Sequence, residues 1–285
     1  MKLDKVAAPN LPLATKEYDD RRTDQYSNVL RLFFNRLVKL INQIIDPDYG
    51  GASLYFPYGA FHQDGATTLA AGITNNSTTP IQVASTAGFP ATGYLLIGTE
   101  LIQYTTKTST TFDGTITRGA LGTTNVAHTT GADVTEAQGT GSSSTIGSLY
   151  ITNTDYSNGI EVDSTDTTKL VCTIPAVYNL QFSAQLLNFT SAEDNVTIWF
   201  ALNGNALPAT ASIAEVPTKH GTSPGAYIMT VNILQALAAG DYIQFKWLSE
   251  TGNSVIATAP AGTSPAHPTS PSLIVTATFV SAYPA

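Results

Sequence analysis

The first part of the chain has a helical pattern of apolar and polar positions. Its apolar residues recur at steps of four, three, four, three and four, at Tyr26, Leu30, Phe33, Leu37, Leu40 and Ile44. This 3.5-residue repeat is the seam of a left-handed coiled coil. Val29, Phe34 and Ile41 widen the apolar stripe, so one partner helix would not cover it. We therefore predict an oligomerising helix whose six seam residues bundle three copies of the chain.

The expected limits of this helix come from its flanking residues. Thr15 can cap a helix that begins near Lys16, and acidic residues follow in its first turn. Pro47 ends it near Asp46. An alternative remains open, in which an ordinary amphipathic helix lies on the core of its own domain. In either case packing must stabilise it, because an isolated helix of this length is marginal in water.

Two segments that flank the helix are predicted to lack regular structure. Pro9 and Pro12 favour an extended arm over residues 1–14. Such an arm either docks on another protein or is disordered. Residues 47–71 combine many aromatic residues with Gly and Pro, and we interpret them as an irregular connector that packs against another surface.

Residues 72–137 have the pattern of a small β module. Short strands are expected at 81–85, 115–119 and 132–137. The run 93–105 predicts a hairpin whose tight turn is Gly98-Thr99, since Gly adopts the positive φ of such turns. Residues 138–145, QGTGSSST, have the composition of a flexible Gly/Ser linker.

Residues 146–283 contain ten β-type runs separated by turn residues about every ten positions. The runs 179–186 and 242–248 alternate apolar and polar residues, as half-buried antiparallel strands do. The pattern indicates a sandwich or jelly roll. The predicted fold is therefore mainly β. Its domains are an arm and oligomerising helix (1–48), a connector with a small β module (49–137), a linker (138–145) and an antiparallel jelly-roll head (146–285).

The charge distribution argues against a nucleic-acid partner. The 285 residues carry a formal net charge of −8, and only 12% are charged, about half the usual share. Residues 1–48 have a net charge of +1 and residues 49–285 a net charge of −9. An acidic body cannot form the basic patch that binds phosphates.

Membrane insertion is not expected either. The sequence contains no run of about 18 apolar residues that could span a bilayer. The N-terminus, MKLDKVAAPN, shows no apolar core of a signal peptide.

Motifs for catalysis or for a cofactor are not found. The sequence has no HExxH, GxSxG, P-loop or GxGxxG pattern, and its four histidines form no close pair. Cys172, the single cysteine, lies in an apolar run and is expected to be buried and inert. We predict no catalytic residues, no cofactor and no metal ligands.

Some acidic and aromatic residues are candidates for catalytic, cation-binding or sugar-binding sites. The pairs Glu161/Asp163 and Glu193/Asp194 are interpreted as solvated charges, although paired carboxylates can cleave glycosides. The loop-side Asp155, Asp163, Asp166 and Asp194 could be considered for a cation, but their spacing matches no EF-hand, and none is assigned as a ligand. Trp199 and Trp247 could stack on sugars, but their positions within strands favour core packing.

The C-terminal half resembles the trimeric jelly-roll heads of the tumour necrosis factor and complement globular-head superfamily. The resemblance rests on Tyr178 with Phe182, Trp199 with Asn203-Gly204, and Leu237 with Gly240-Asp241. It implies a jelly-roll head that forms trimers. No collagen-like repeat precedes the head here, so the N-terminal helix would bundle the chains instead.

The middle segment, GYLLIGTELIQYTTKTSTTFDGTITRGALGTTNVAHTTGADV, and the N-terminal LPLATKEYDDRRTDQYSNVLRLFFNRL resemble virion proteins of tailed bacteriophages. This resemblance implies a non-enzymatic homotrimeric fibre or decoration protein on the capsid or tail. Its arm would bind other virion proteins, and its head would face a host receptor or glycan. The alternatives are a polysaccharide-degrading tail enzyme and a bacterial surface adhesin.

Overall fold

The fold is mainly β, with one helix ahead of a set of antiparallel sheets. A computed structural model of the protein describes residues 20–45, 56–140 and 143–283. The helix, α1, spans Asp20–Ile45, which confirms the predicted element. Its predicted start near Lys16, its predicted end near Asp46 and the extended arm lie outside the described residues. Within those residues, no helix is both long and apolar enough to cross a lipid bilayer.

The strands of the described residues all pair in antiparallel fashion. In chain order they are β1 Tyr58–Gln63, β2 Ala66–Thr68, β3 Ile81–Gln82, β4 Gly93–Ile97, β5 Glu100–Tyr104, β6 Thr106–Lys107, β7 Thr111–Asp113, β8 Asp133–Gly139, β9 Gly147–Ser148, β10 Asn153–Asn158, β11 Ile160–Val162, β12 Leu170–Cys172, β13 Ala176–Asn188, β14 Asp194–Leu202, β15 Asn205–Ala206, β16 Ser212–Val216, β17 Gly225–Leu237, β18 Tyr242–Ser249, β19 Ser254–Ala257, β20 Gly262–Thr263, β21 Ala266–His267 and β22 Leu273–Ala282. A short 3-10 turn lies at Ala120–Gly122.

The head is a sandwich of two sheets. The larger sheet has the order β10-β1-β22-β13-β19-β8-β4-β5, with β17 paired to β13 and β2 to β8. The smaller has the order β11-β12-β18-β14-β15, with β16 on β14 and β9 on β18. The core between them contains Phe182 of the larger sheet, whose ring centroid lies 5.4 Å from that of Phe200 and 5.5 Å from that of Phe245. Burial of each ring contributes about 1.5–3 kcal/mol.

Strand β13 organises the larger sheet because its 13 residues alternate strictly between buried and outward positions. On one side it pairs with β17 along its whole length. On the other side its first part pairs with β22 and its end with β19. The alternation predicted from the sequence at 179–186 is therefore confirmed, and the strand is longer than the predicted run.

The small β module is inserted between two strands of the larger sheet. The chain first forms β1, which lies between β10 and β22, then builds the module and returns through β8. The two ends of the insertion meet where the backbone N–H of Glu136 donates to the carbonyl of Gly65, at 2.8 Å. The module has its own core around Leu95, Ile102 and Phe112. The larger sheet thus contains strands from both sides of the expected domain boundaries at 137 and 146. Whether these segments fold as separate units stays a prediction.

Most predicted strands are confirmed, but three expectations were wrong. The hairpin β4–β5 turns at Gly98, whose φ is 61°, and each of the ten predicted head runs contains a strand. In contrast, 58–63 is strand β1 and not part of an irregular connector. The segment 115–119 forms only one bridge, at Thr117, because Gly114 and Gly119 take positive φ on either side. The predicted linker 138–145 begins inside β8, which reaches Gly139.

Candidate functional site

The six predicted seam residues lie on one side of α1, which is about 39 Å long at 1.5 Å per residue. Tyr26, Phe33, Leu37 and Leu40 are half-buried, and Leu30 is 36% exposed. Ile44 lies in the helix, but its side chain is outside the described residues. The structure therefore brings the predicted seam onto one continuous face.

A second apolar row runs beside the seam and makes the stripe wide. Phe34, Val38 and Ile41 are 54%, 52% and 46% exposed. At 100° per residue the two rows together cover roughly half of the helix circumference. Within the described part of the chain, no helix residue belongs to a buried core cluster, and no strand packs extensively on α1. The described residues of one chain therefore leave an apolar surface of the kind that marks an interaction site.

The pair Glu193/Asp194 is not a pair of solvated charges. Asp194 begins β14 and is buried, with 1% exposure. Its carboxylate accepts hydrogen bonds from the Ser249 hydroxyl and from the backbone N–H groups of Thr251 and Ser254, the latter two at 3.0 Å. Burial alone would raise the pKa of Asp194, but these hydrogen bonds outweigh it and lower the pKa. Asp194 thus ties β14 to the turn between β18 and β19.

The other acidic candidates are surface residues. Glu161 is exposed and Asp163 half-buried. Asp163 accepts from the backbone N–H groups of Thr165 and Asp166 at 2.7 and 2.9 Å, which shapes a turn. Hydrogen bonds from Thr165 lower the pKa of Asp163.

One histidine has two acidic neighbours. His62 lies 3.5 Å from a carboxylate oxygen of Asp64 and 3.1 Å from one of Asp155. Among the described residues, no group of three or more His, Cys, Asp or Glu side chains is arranged to hold a metal ion.

Burial decides the outcome for the remaining candidates. Cys172 is fully buried and burial raises the pKa of its thiol, which confirms the expectation for this residue. Trp247 is only 2% exposed and belongs to the head core, as predicted. The prediction of core packing is wrong for Trp199. It is half-buried on the outer face of the smaller sheet, opposite Lys246, because its neighbours Ile198 and Phe200 take the inward positions of β14.

A buried charged network, missed from the sequence, holds the module together. Both oxygens of Glu100 accept hydrogen bonds from Arg118, at 2.7 and 2.8 Å. His128 Nε2 lies 2.8 Å away, and the backbone N–H groups of Gly119 and Val126 also donate. Burial raises the pKa of Glu100, but the hydrogen bonds from Arg118, Val126 and His128 lower it overall. The network fixes the loop after β7 on the hairpin β4–β5.

A second missed carboxyl lies between the module and the head. Glu136 is fully buried, and its Oε1 accepts from the hydroxyls of Ser272 and Thr258, the latter at 3.1 Å. Its Oε2 has no partner among the described residues. Burial raises the pKa of Glu136 to about 7. Residues two apart share one face of a strand, so Glu136 lies between Val134 of the module core and Gln138, which pairs with Ile256 of the head core.

These features define a class of protein: an antiparallel β sandwich that carries an inserted module and an N-terminal amphipathic helix. No protein-family model matches the sequence, and no curated protein matches it. Among solved structures, the chain is similar to murine APRIL in a crystal structure at pH 5.0, with 13% sequence identity and a TM-score of 0.31. The similarity covers 48% of this chain and 95% of that chain. A TM-score this low does not assign a family.

Proposed function

We propose that this chain is a non-enzymatic virion structural protein of a tailed bacteriophage. In this proposal it forms a homotrimeric fibre or decoration protein that is attached to the capsid or tail through its N-terminal arm. Its jelly-roll head faces outward for contact with a host receptor or glycan. The observation that carries the trimer is the wide apolar stripe of α1, which the described residues of one chain leave uncovered.

The width of the stripe supports three chains over two. A two-stranded coiled coil covers a narrow seam of two positions per heptad. In a trimer each helix contacts two neighbours, so the seam and the adjacent row of Phe34, Val38 and Ile41 would both be covered. Arg31, Asn35 and Lys39 lie on the opposite face, where they would remain in water.

Three equal heads on one axis also give a physical role to the assembly. A weak contact of one head with a repeated surface structure becomes strong when three heads bind together, because the second and third contacts are intramolecular. The chain is acidic overall and rich in uncharged polar residues, which supports a β protein that is displayed on a particle. This charge balance does not favour binding to nucleic acid.

The helix is tested by the double substitution Phe33→Asp with Leu37→Asp. Two charges in the seam should convert trimers to monomers, as measured by size-exclusion chromatography with light scattering. The matched control, Asn35→Asp with Asn42→Asp, adds the same charges to the polar face and should leave trimers intact. If the seam variant still forms trimers, the helix does not organise the assembly.

The location is tested by labelling intact phage particles with an antibody to the head and viewing them by electron microscopy. Regular labelling of capsids or tails is expected. Particles without label would refute a virion location, whatever the oligomeric state of the purified protein.

A further inference from the structure

A cleft of about 370 Å³ opens where the inserted module meets the head. Tyr94, Tyr104 and Gln103 contribute from the module hairpin, and Tyr150 and Trp247 from the head. The volume lies within the range of roughly 300–1,000 Å³ that is usual for small-ligand sites. The cleft lies at this junction because β8 belongs to both the module and the larger sheet of the head.

Two glycines let aromatic side chains pack directly against the backbone at the wall of this cleft. A Cβ atom added at Gly139 would lie 2.6 Å from a ring carbon of Tyr94. A Cβ atom added at Gly147 would lie 2.8 Å from Trp247 Nε1. Real Cβ atoms do not approach other atoms this closely, so a larger residue at either position would force the aromatic side chain to move. Tyr94 and Trp247 border the cleft but are only 4% and 2% exposed, so the half-buried Tyr150 supplies the aromatic ring that a ligand can pack on.

Several polar groups of the cleft have no bonding partner within the part of the chain that the structure describes. They are the indole N–H of Trp247, the hydroxyls of Tyr94 and Tyr150, and the side-chain amide of Gln103. An indole N–H usually finds an acceptor, and the Trp247 indole borders the cleft, where a ligand can supply one. Tyr150 and Gln103 are half-buried, so they can reach a ligand at the mouth of the cleft.

The chemistry of the lining selects a kind of ligand. None of the residues that line the cleft carries a formal charge. Lys246 lies beside them and donates to the Ser148 hydroxyl at 2.6 Å. A phosphate or a carboxylate that enters the cleft would lose its hydration and would find no opposite charge among the lining residues. Such a transfer is unfavourable. A pyranose ring suits this lining, because one C–H face can pack on the half-buried ring of Tyr150 while its hydroxyls bond to amide, phenol and indole groups at the cleft.

We propose that the cleft between module and head binds one or two sugar units of a neutral glycan. This proposal rests on the proposed function, since it supplies the ligand that the displayed heads would contact. Binding at one cleft is expected to be weak, and three clefts on one assembly would strengthen it.

The test begins with an array of neutral and acidic oligosaccharides probed with the full-length protein. We expect neutral glycans to bind and acidic ones to bind less. Isothermal titration with the best neutral oligosaccharide then compares three variants. Gln103→Ala removes one amide, and Trp247→Phe keeps an aromatic ring but removes the N–H, so each should weaken binding by about 5–10-fold. Trp199→Phe, on the outer face of the smaller sheet, is the control and should bind normally.

Three results would overturn the proposal: no neutral glycan binds, the bound glycans are mainly acidic, or Gln103→Ala binds as tightly as the wild type. Gln103→Ala decides the case if Trp247→Phe does not fold, since Gln103 is not a core residue. Light scattering on the same samples separates the two proposals. Trimers without glycan binding refute the cleft alone, and monomers with glycan binding refute the helix alone.

Discussion

Replacing Glu136 with glutamine should stabilise the protein at alkaline pH and change little in mild acid. Glu136 is fully buried between the module core and the head core. Its Oε2 lacks a partner among the described residues, so ionisation places a poorly compensated charge in a dry site. Glutamine has nearly the same shape and keeps an oxygen that can accept from Ser272 and Thr258, but it cannot ionise.

The magnitude follows from the change in pKa between the unfolded and folded states. The pKa of Glu136 rises from an ordinary value of 4.5 to about 7 on folding. Below pH 4.5 the carboxyl is protonated in both states and costs nothing. As the pH rises from there through 7, the folded state holds a proton that the unfolded state has lost, so the free energy of unfolding falls. At about 1.4 kcal/mol per pH unit, the total loss is about 3 kcal/mol.

The measurement is equilibrium unfolding in guanidinium chloride, followed by the fluorescence of the two tryptophans, Trp199 and the buried Trp247. The wild type and Glu136→Gln should agree within about 1 kcal/mol near pH 5, and the variant should be about 3 kcal/mol more stable near pH 8.5. Glu161→Gln makes the same chemical change on the exposed side of β11 and corrects for the loss of one charge. Ser272→Ala removes a hydroxyl that lowers the pKa of Glu136, so it should raise that pKa further, which enlarges the alkaline loss and extends it to higher pH.

A constant difference between Glu136→Gln and the wild type from pH 5 to pH 8.5 would refute this reasoning. It would mean that Glu136 ionises in the folded protein without a penalty. Another group would then have to stabilise the buried carboxylate in its ionised form.

Two further substitutions test buried carboxylates whose pKa is lowered. Arg118→Met should lower the free energy of unfolding by about 3–5 kcal/mol, because it leaves Glu100 buried without its main partner; thermal unfolding measures this, and a loss below about 1 kcal/mol would contradict it. Asp194→Asn should cost about 1–3 kcal/mol near neutral pH. Since the folded pKa of Asp194 is lowered, its contribution is present above the unfolded pKa and is lost as the pH falls through the folded pKa, so the difference from wild type should shrink in acid unfolding series.

The sequence predicted those elements whose local pattern agrees with their final environment. The β13 and β18 strands alternate apolar and polar residues because one face of each lies on the head core. Gly98 marked the hairpin turn because only a residue that tolerates positive φ fits there. The heptad spacing likewise predicted α1, since its seam depends on residues close in the chain.

The missed features depend on partners that are distant in the chain. Strand β10, Asn153–Asn158, is polar and mostly exposed, and only its pairing with β1 makes it a strand. Glu136 and Ser272 are 136 positions apart, and Tyr94 and Trp247, on the two sides of the cleft between module and head, are also distant in the chain. The SAEDN sequence around Asp194 has the composition of an exposed loop, so it predicts a solvated charge where the structure has a buried one. A single buried acid within an otherwise apolar strand, as at ELIQY, is the signal that could have suggested the Glu100 network.

The position of β1 has a mechanical consequence. A pulling force applied at α1 would enter the sandwich through β1 and would load its hydrogen bonds to β10 first, since β1 pairs with β10 at five positions and with β22 at one. Because the backbones of Gly65 and Glu136 are hydrogen-bonded at its base, the chain leaves and re-enters the sandwich at one point, and a change of length within the module need not alter β1.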